Sequence, residues 1–123
     1  MFILWTLVVA LSAMAHTSNK SDSGQELFWP SNSLNIRINN NSKSLSGASA
    51  QSILQNSLNQ WNPHSNAKIY LNGASNNNLI FSQNADIFGP GVVGVTQITY
   101  GTSGNITQAD IILNEKNYTF TTI

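Results

Sequence analysis

Ala50, Ile53, Leu54, Leu58 and Trp61 recur at the spacing of a single helix face. Ser46 or Ser49 is placed to cap the start of that helix, and Asn62-Pro63 to stop it. A helix with one apolar stripe must lay the stripe against something. The segments around it read as strands, so its partner is a sheet. In LFWPSNSLNIRIN, Leu34, Ile36 and Ile38 alternate with Asn35, Arg37 and Asn39, the period of a half-buried strand, with Pro30 safely ahead of it. Further strands are expected at Lys68 to Gly73, Asn78 to Gln83, Val92 to Tyr100 and Ala109 to Asn114, separated by the polar turns GASNNN and GTSGN. The expected fold is α+β: a twisted mixed sheet of about five strands with one long helix after the first. A strand, a helix and a second strand in succession imply a right-handed crossover and a mostly parallel start to the sheet.

That sheet has to stand on its core alone. The chain contains no cysteine, which removes both a disulfide framework and any thiolate metal site. Only 8% of its 123 residues are charged and the formal net charge is zero. No basic face exists for nucleic acid or for anionic lipid, so neither is an expected partner.

The first residues, MFILWTLVVALSAMA, form an apolar run closed by Ala13-Met14-Ala15, the small-x-small pattern of a secretory signal peptide, although without the usual Lys or Arg ahead of it. The run is short for a membrane span, which needs roughly 20 residues. Residues 1–15 are therefore expected to direct export, making the protein secreted, periplasmic or cell-surface. Residues 16–26, HTSNKSDSGQE, offer no apolar anchor and read as a flexible linker or the remnant of a pro-segment. Residues 27–123 form one domain. Its end, NYTFTTI, is aromatic and β-branched, and suggests a domain that continues past Ile123.

Candidates for chemistry are few. His16 and His64 have neither a second histidine at metal-ligand spacing nor an acid to orient them. No G-x-S-x-G frames a serine, and the glycines of FGPGVVG do not make G-x-G-x-x-G. Asp86 before the glycine turn and Asp110 at the opening of a strand suit structural caps or, with loop carbonyls, a calcium site. The N-x-[ST] patterns at Asn19, Asn40, Asn105 and Asn117 are unremarkable in a chain so rich in Asn.

The glycine-flanked block FGPGVVGVTQITY is the most distinctive segment. Gly89, Gly91 and Gly94 let the backbone turn and let another backbone come close, while Val92, Val95 and Ile98 supply apolar faces. As an edge strand it could accept an extended peptide by strand addition; as a central strand it would be ordinary.

At these residues the chain resembles a known family. The succession of W-P…LNIRIN, a helix ending in Gln60-Trp61, a short strand, DIFGPGVVGVTQITY and a glycine turn into ADIILN is similar to the N-terminal part of the catalytic domain of metzincin zinc metallopeptidases, in particular their bacterial secreted, matrixin-like branch. The resemblance covers Leu27 to Ile123 and implies a twisted five-stranded sheet whose lowest strand lines the cleft, antiparallel to bound substrate. On that basis Gly94, Val95 and Thr96 would offer main-chain groups to a peptide or protein substrate. It also implies zinc in the full-length protein, held by H-E-x-x-H-x-x-G-x-x-H. That motif is absent from this chain, so the chain by itself should be inactive. The Val95-Thr96-Gln97 neighbourhood lacks the histidine that matrixins use for a structural zinc. A second reading is a non-enzymatic secreted β-rich module that binds peptide or carbohydrate.

Overall fold

The computed structural model describes residues 19–39, 41–84 and 87–122. Residues 1–15, expected to direct export, and His16, Asn40 and Asp86 lie outside them. The chain is α+β: β1 (Ser33–Ile38), α1 (Gly47–Trp61), β2 (Lys68–Leu71), β3 (Asn78–Ser82), β4 (Gly94–Tyr100) and β5 (Ile106–Asn114). The five strands form one mixed sheet in the order β2-β1-β3-β5-β4. β1 is parallel to β2 and to β3, β3 is parallel to β5, and only β4 runs antiparallel to its neighbour.

Helix α1 starts where a hydroxyl can satisfy its first free N–H groups. The Ser46 side chain accepts the Ser49 N–H at 3.1 Å, which settles the cap on Ser46. It ends at Trp61, where Pro63 turns the chain into a short 3-10 segment, Asn62–His64. Ala50 and Leu58 are buried; Leu45, Ala50 and Leu54 border an apolar space of about 240 Å³ shared with Leu79, Phe81, Leu113 and Phe120 of the sheet side. Ile38 lies near Gly47 and Ala50, so by alternation Leu34, Ile36 and Ile38 all face the helix. Two members of the stripe are wetter than expected, Ile53 at 39% and Trp61 at 58% exposure.

The opposite face carries Ile80, Ile112 and a polar network around Asn78. Asp110 Oδ1 accepts from the Asn78 main-chain N–H at 3.0 Å and from Asn78 Nδ2 at 2.7 Å; its Oδ2 accepts from Gln108 Nε2 at 2.9 Å. Arg37 Nε donates to Asn78 Oδ1 at 2.7 Å. Asn78, itself buried, thus links three parallel strands, bonded to Arg37 of β1 on one side and Asp110 of β5 on the other.

Four strand ends differ from the expectation: β2 stops at Leu71 rather than Gly73 and β3 at Ser82 rather than Gln83. β4 begins at Gly94 rather than Val92, and β5 begins at Ile106 rather than Ala109, since the Gly101–Asn105 turn closes through Gly101 N–H to Asn105 C=O at 2.9 Å and pairing resumes at once. Residues 19–26, read as linker, fold back as a small hairpin around Gly24 (φ 84°), with Leu27 N–H bonded to Asn19 C=O at 2.8 Å. The hairpin docks on the β4–β5 turn: Phe28 N–H donates to Gly104 C=O at 3.0 Å and Phe28 C=O accepts from Ile106 N–H at 2.7 Å. Hydrogen bonds replace the missing apolar anchor. Gly104 is obligatory there, with φ 86° and space for a Cβ only 2.3 Å from Glu26 C=O.

Candidate functional site

A sheet of five strands has two edges, and this chain treats them differently. At the β2 edge, Lys68 N–H and Asn72 N–H bond inward to the β1 side, so Ile69 points its main-chain groups outward. The Asn62 side chain takes both: its Nδ2 donates to Ile69 C=O at 2.7 Å and its Oδ1 accepts from Ile69 N–H at 2.9 Å. The strand is four residues long, and its Lys68 ammonium is tied to the carbonyls of Asn62 and Ser65. Short length, a lysine and a side-chain plug are the usual ways of closing an edge to other chains.

β4 has none of these. Its seven residues, GVTQITY, carry no charge and no proline, and among the described residues no strand pairs with its outer side. The register determines which groups are free. Gly94 pairs with Leu113, Val95 with Ile112, Thr96 with Ile111, Gln97 with Asp110 and Ile98 with Ala109. Just ahead of the strand, Asn114 N–H donates to Val93 C=O at 2.8 Å. Hydrogen-bonded and non-bonded pairs alternate along an antiparallel ladder. Val93, Val95 and Gln97 therefore spend their main-chain groups on β5, and Gly94, Thr96 and Ile98 turn theirs to the open edge. Of the three residues singled out from the sequence, Gly94 and Thr96 face outward. Val95 is a correction: its main chain is committed to β5, and Ile98 is the third outward residue instead.

The start of this edge is held from behind. Asn114, the most deeply buried side chain at 1% exposure, donates from Nδ2 to Val92 C=O at 2.9 Å and accepts the Asn117 N–H at 3.2 Å. Gly94 sits against the same strand end, where a Cβ would meet Ile112 C=O and Leu113 Cδ2 at 3.1 Å each. The glycine thus serves close approach to β5. Positive φ occurs in this block only at Gly91 (74°) among the described residues.

Glu115, one residue beyond β5, is a hub that pattern reading passed over. It is 3% exposed, and its carboxylate accepts from Lys43 N–H at 2.6 Å, Ser44 N–H at 3.0 Å, Ser44 Oγ at 2.6 Å, Ser42 Oγ and Gln83 Nε2 at 3.2 Å. Burial by itself pushes the carboxyl up, but the bonds from Lys43, Ser42 and Ser44 outweigh it and hold the pKa at about 2. Ser44 Oγ also receives the Phe120 N–H at 3.2 Å, so the loop before α1, the end of β5 and the following segment meet on one ionised group.

The carboxylates of Asp110 and Glu115 are engaged by N–H and O–H donors, and His64 stands exposed at the end of the 3-10 segment. Among the described residues no three His, Cys, Asp or Glu side chains converge as a metal site requires. Asp110 acts as a tie between strands, its oxygens taken by Asn78 and Gln108. Among the same residues no helix is long and apolar enough to cross a membrane. No protein-family model, curated protein or solved structure matches this chain.

Proposed function

We propose that this chain supplies the sheet and the peptide-aligning edge strand of a secreted zinc-dependent endopeptidase. The observation that carries the reading is β4: the one antiparallel strand, uncharged, at an open edge, entered through a glycine-rich segment and presenting the main-chain groups of Gly94, Thr96 and Ile98 outward. An extended peptide laid along that edge gains main-chain hydrogen bonds whatever its side chains, and is held straight in one register. Such alignment is what an endopeptidase needs before any bond is cut. The apolar run of residues 1–15 supports export. The zinc ligands belong to a histidine-rich helix that is not among the residues of this chain, so its own share of the work is binding and orientation.

The test is to read the gene past the codon for Ile123. An open frame encoding H-E-x-x-H-x-x-G-x-x-H within about one further subdomain supports the proposal. A stop codon with no such motif after it overturns the peptidase reading and leaves a peptide- or carbohydrate-binding module that uses the same edge.

A further inference from the structure

The two edges of the sheet differ in a way that bears on self-association. The β2 edge is plugged by Asn62 and shortened to four residues, whereas β4 offers seven uncharged residues with no proline or lysine to deter a second strand. The outward residues of β4 are also self-complementary. Placed antiparallel to itself about a two-fold axis through Thr96, the strand pairs Gly94 with Ile98 of a second copy, Thr96 with its own counterpart, and Ile98 with Gly94. All three are outward-facing positions, so every pair exchanges both of its N–H and C=O groups. Gly94, Thr96 and Ile98 share the helix side of the sheet by alternation, so Ile98 of each copy lies beside the bare Cα of Gly94 in the other. Near the ends of the paired stretch, Val93 (47% exposed) and Tyr100 (40% exposed) supply apolar surface for the contact to cover.

From this we infer that the chain forms a two-fold dimer through antiparallel β4–β4 pairing, continuing the sheet from one copy into the next. The contact is isologous and consumes the only open edge of each copy among the described residues, so it closes at two and does not propagate. It needs only the outward groups of β4 and is independent of the peptidase reading. If both hold, the dimer hides the peptide-aligning edge, and association and peptide binding compete for the same three residues.

The test uses the full chain. Its mass, followed by sedimentation over micromolar to millimolar concentration, should rise from one chain to two. T96P removes an outward N–H from each copy, and proline is tolerated on the open side of an edge strand; it should weaken association about tenfold or more. T96K, at an exposed position, should do the same by setting two ammonium groups against each other at the axis, and it stands in if T96P fails to fold. Because the chain has no cysteine, T96C gives a register check. Hydrogen-bonded antiparallel partners lie about 5.5 Å apart at Cα, within disulfide reach, so T96C should cross-link under mild oxidation far more than the helix control N56C. A mass of one chain at every concentration, a dimer that T96P or T96K leaves intact, or equal cross-linking of T96C and N56C overturns the inference.

Discussion

Neutralising Glu115 should dismantle the join between the loop before α1 and the end of β5. Its carboxyl falls from an ordinary value near 4.5 to about 2. At about 1.36 kcal/mol per unit this corresponds to about 3 kcal/mol of stability. The direction follows from a depressed folded-state pKa: the contribution is complete above the unfolded value, near pH 4.5 and higher, and is lost as pH falls toward 2. By linkage, less than half of that contribution remains at pH 3 and little of it at pH 2. E115Q keeps the shape but removes the charge, and its amide donor turns toward donors at Lys43 and Ser44. Urea unfolding of wild type and E115Q at pH 7, 4.5, 3 and 2, at constant ionic strength, measures the gap directly. The gap should be about 3 kcal/mol at pH 7 and nearly vanish at pH 2. A gap of the same size at every pH would show that the cost comes from packing, and would refute the charge-based argument.

Three other substitutions test separate parts of the structure. G104A forces a Cβ to within 2.3 Å of Glu26 C=O at a φ of 86°, and should cost about 2–4 kcal/mol in thermal or urea unfolding, with faster proteolysis of residues 19–28. D110A takes the acceptor from the Asn78 N–H and Gln108 Nε2 and leaves Asn78 Nδ2 only its bond to Asn76 C=O at 2.7 Å; the expected loss is about 2–3 kcal/mol, with β1, β3 and β5 amides exchanging faster near that level. N62A unplugs Ile69, so besides a loss of about 1–2 kcal/mol it should open a second edge and give assemblies larger than two chains in light scattering.

Much of this architecture is legible in residues whose signal is local. Ser46 and Asn62-Pro63 bracket the helix, and the alternation of Leu34, Ile36 and Ile38 marks a strand with one face on it. Where partners are distant in sequence, the signal fades. Ile106, Thr107 and Gln108 look like the end of a turn, yet they are strand because β4 is already beside them. Residues 19–26 lack apolar anchors, but they are held by main-chain bonds within their own hairpin and by Gln25 Nε2 donating to Thr102 C=O at 3.0 Å, a partner far away in sequence. Glu115 follows a strand and precedes Lys116, a pattern that reads as a solvated turn; its burial depends on Ser42 and Ser44, which a pattern of polar residues would also assign to a loop. The outward direction of Gly94 and Thr96, and the inward direction of Val95, follow only from the pairing parity with β5, which no one-dimensional pattern contains.

The central claim, that β4 presents Gly94, Thr96 and Ile98 to another extended chain, is tested most directly by residue-resolved amide hydrogen exchange. The chain should be diluted until its mass is that of one copy and compared with and without an excess of an unstructured peptide. The free chain should show slow exchange at Val95 and Gln97 and fast exchange at Gly94, Thr96 and Ile98, and the peptide should slow those three alone. Uniform protection along β4 in the free chain, or no change at the three outward amides with peptide present, would contradict it.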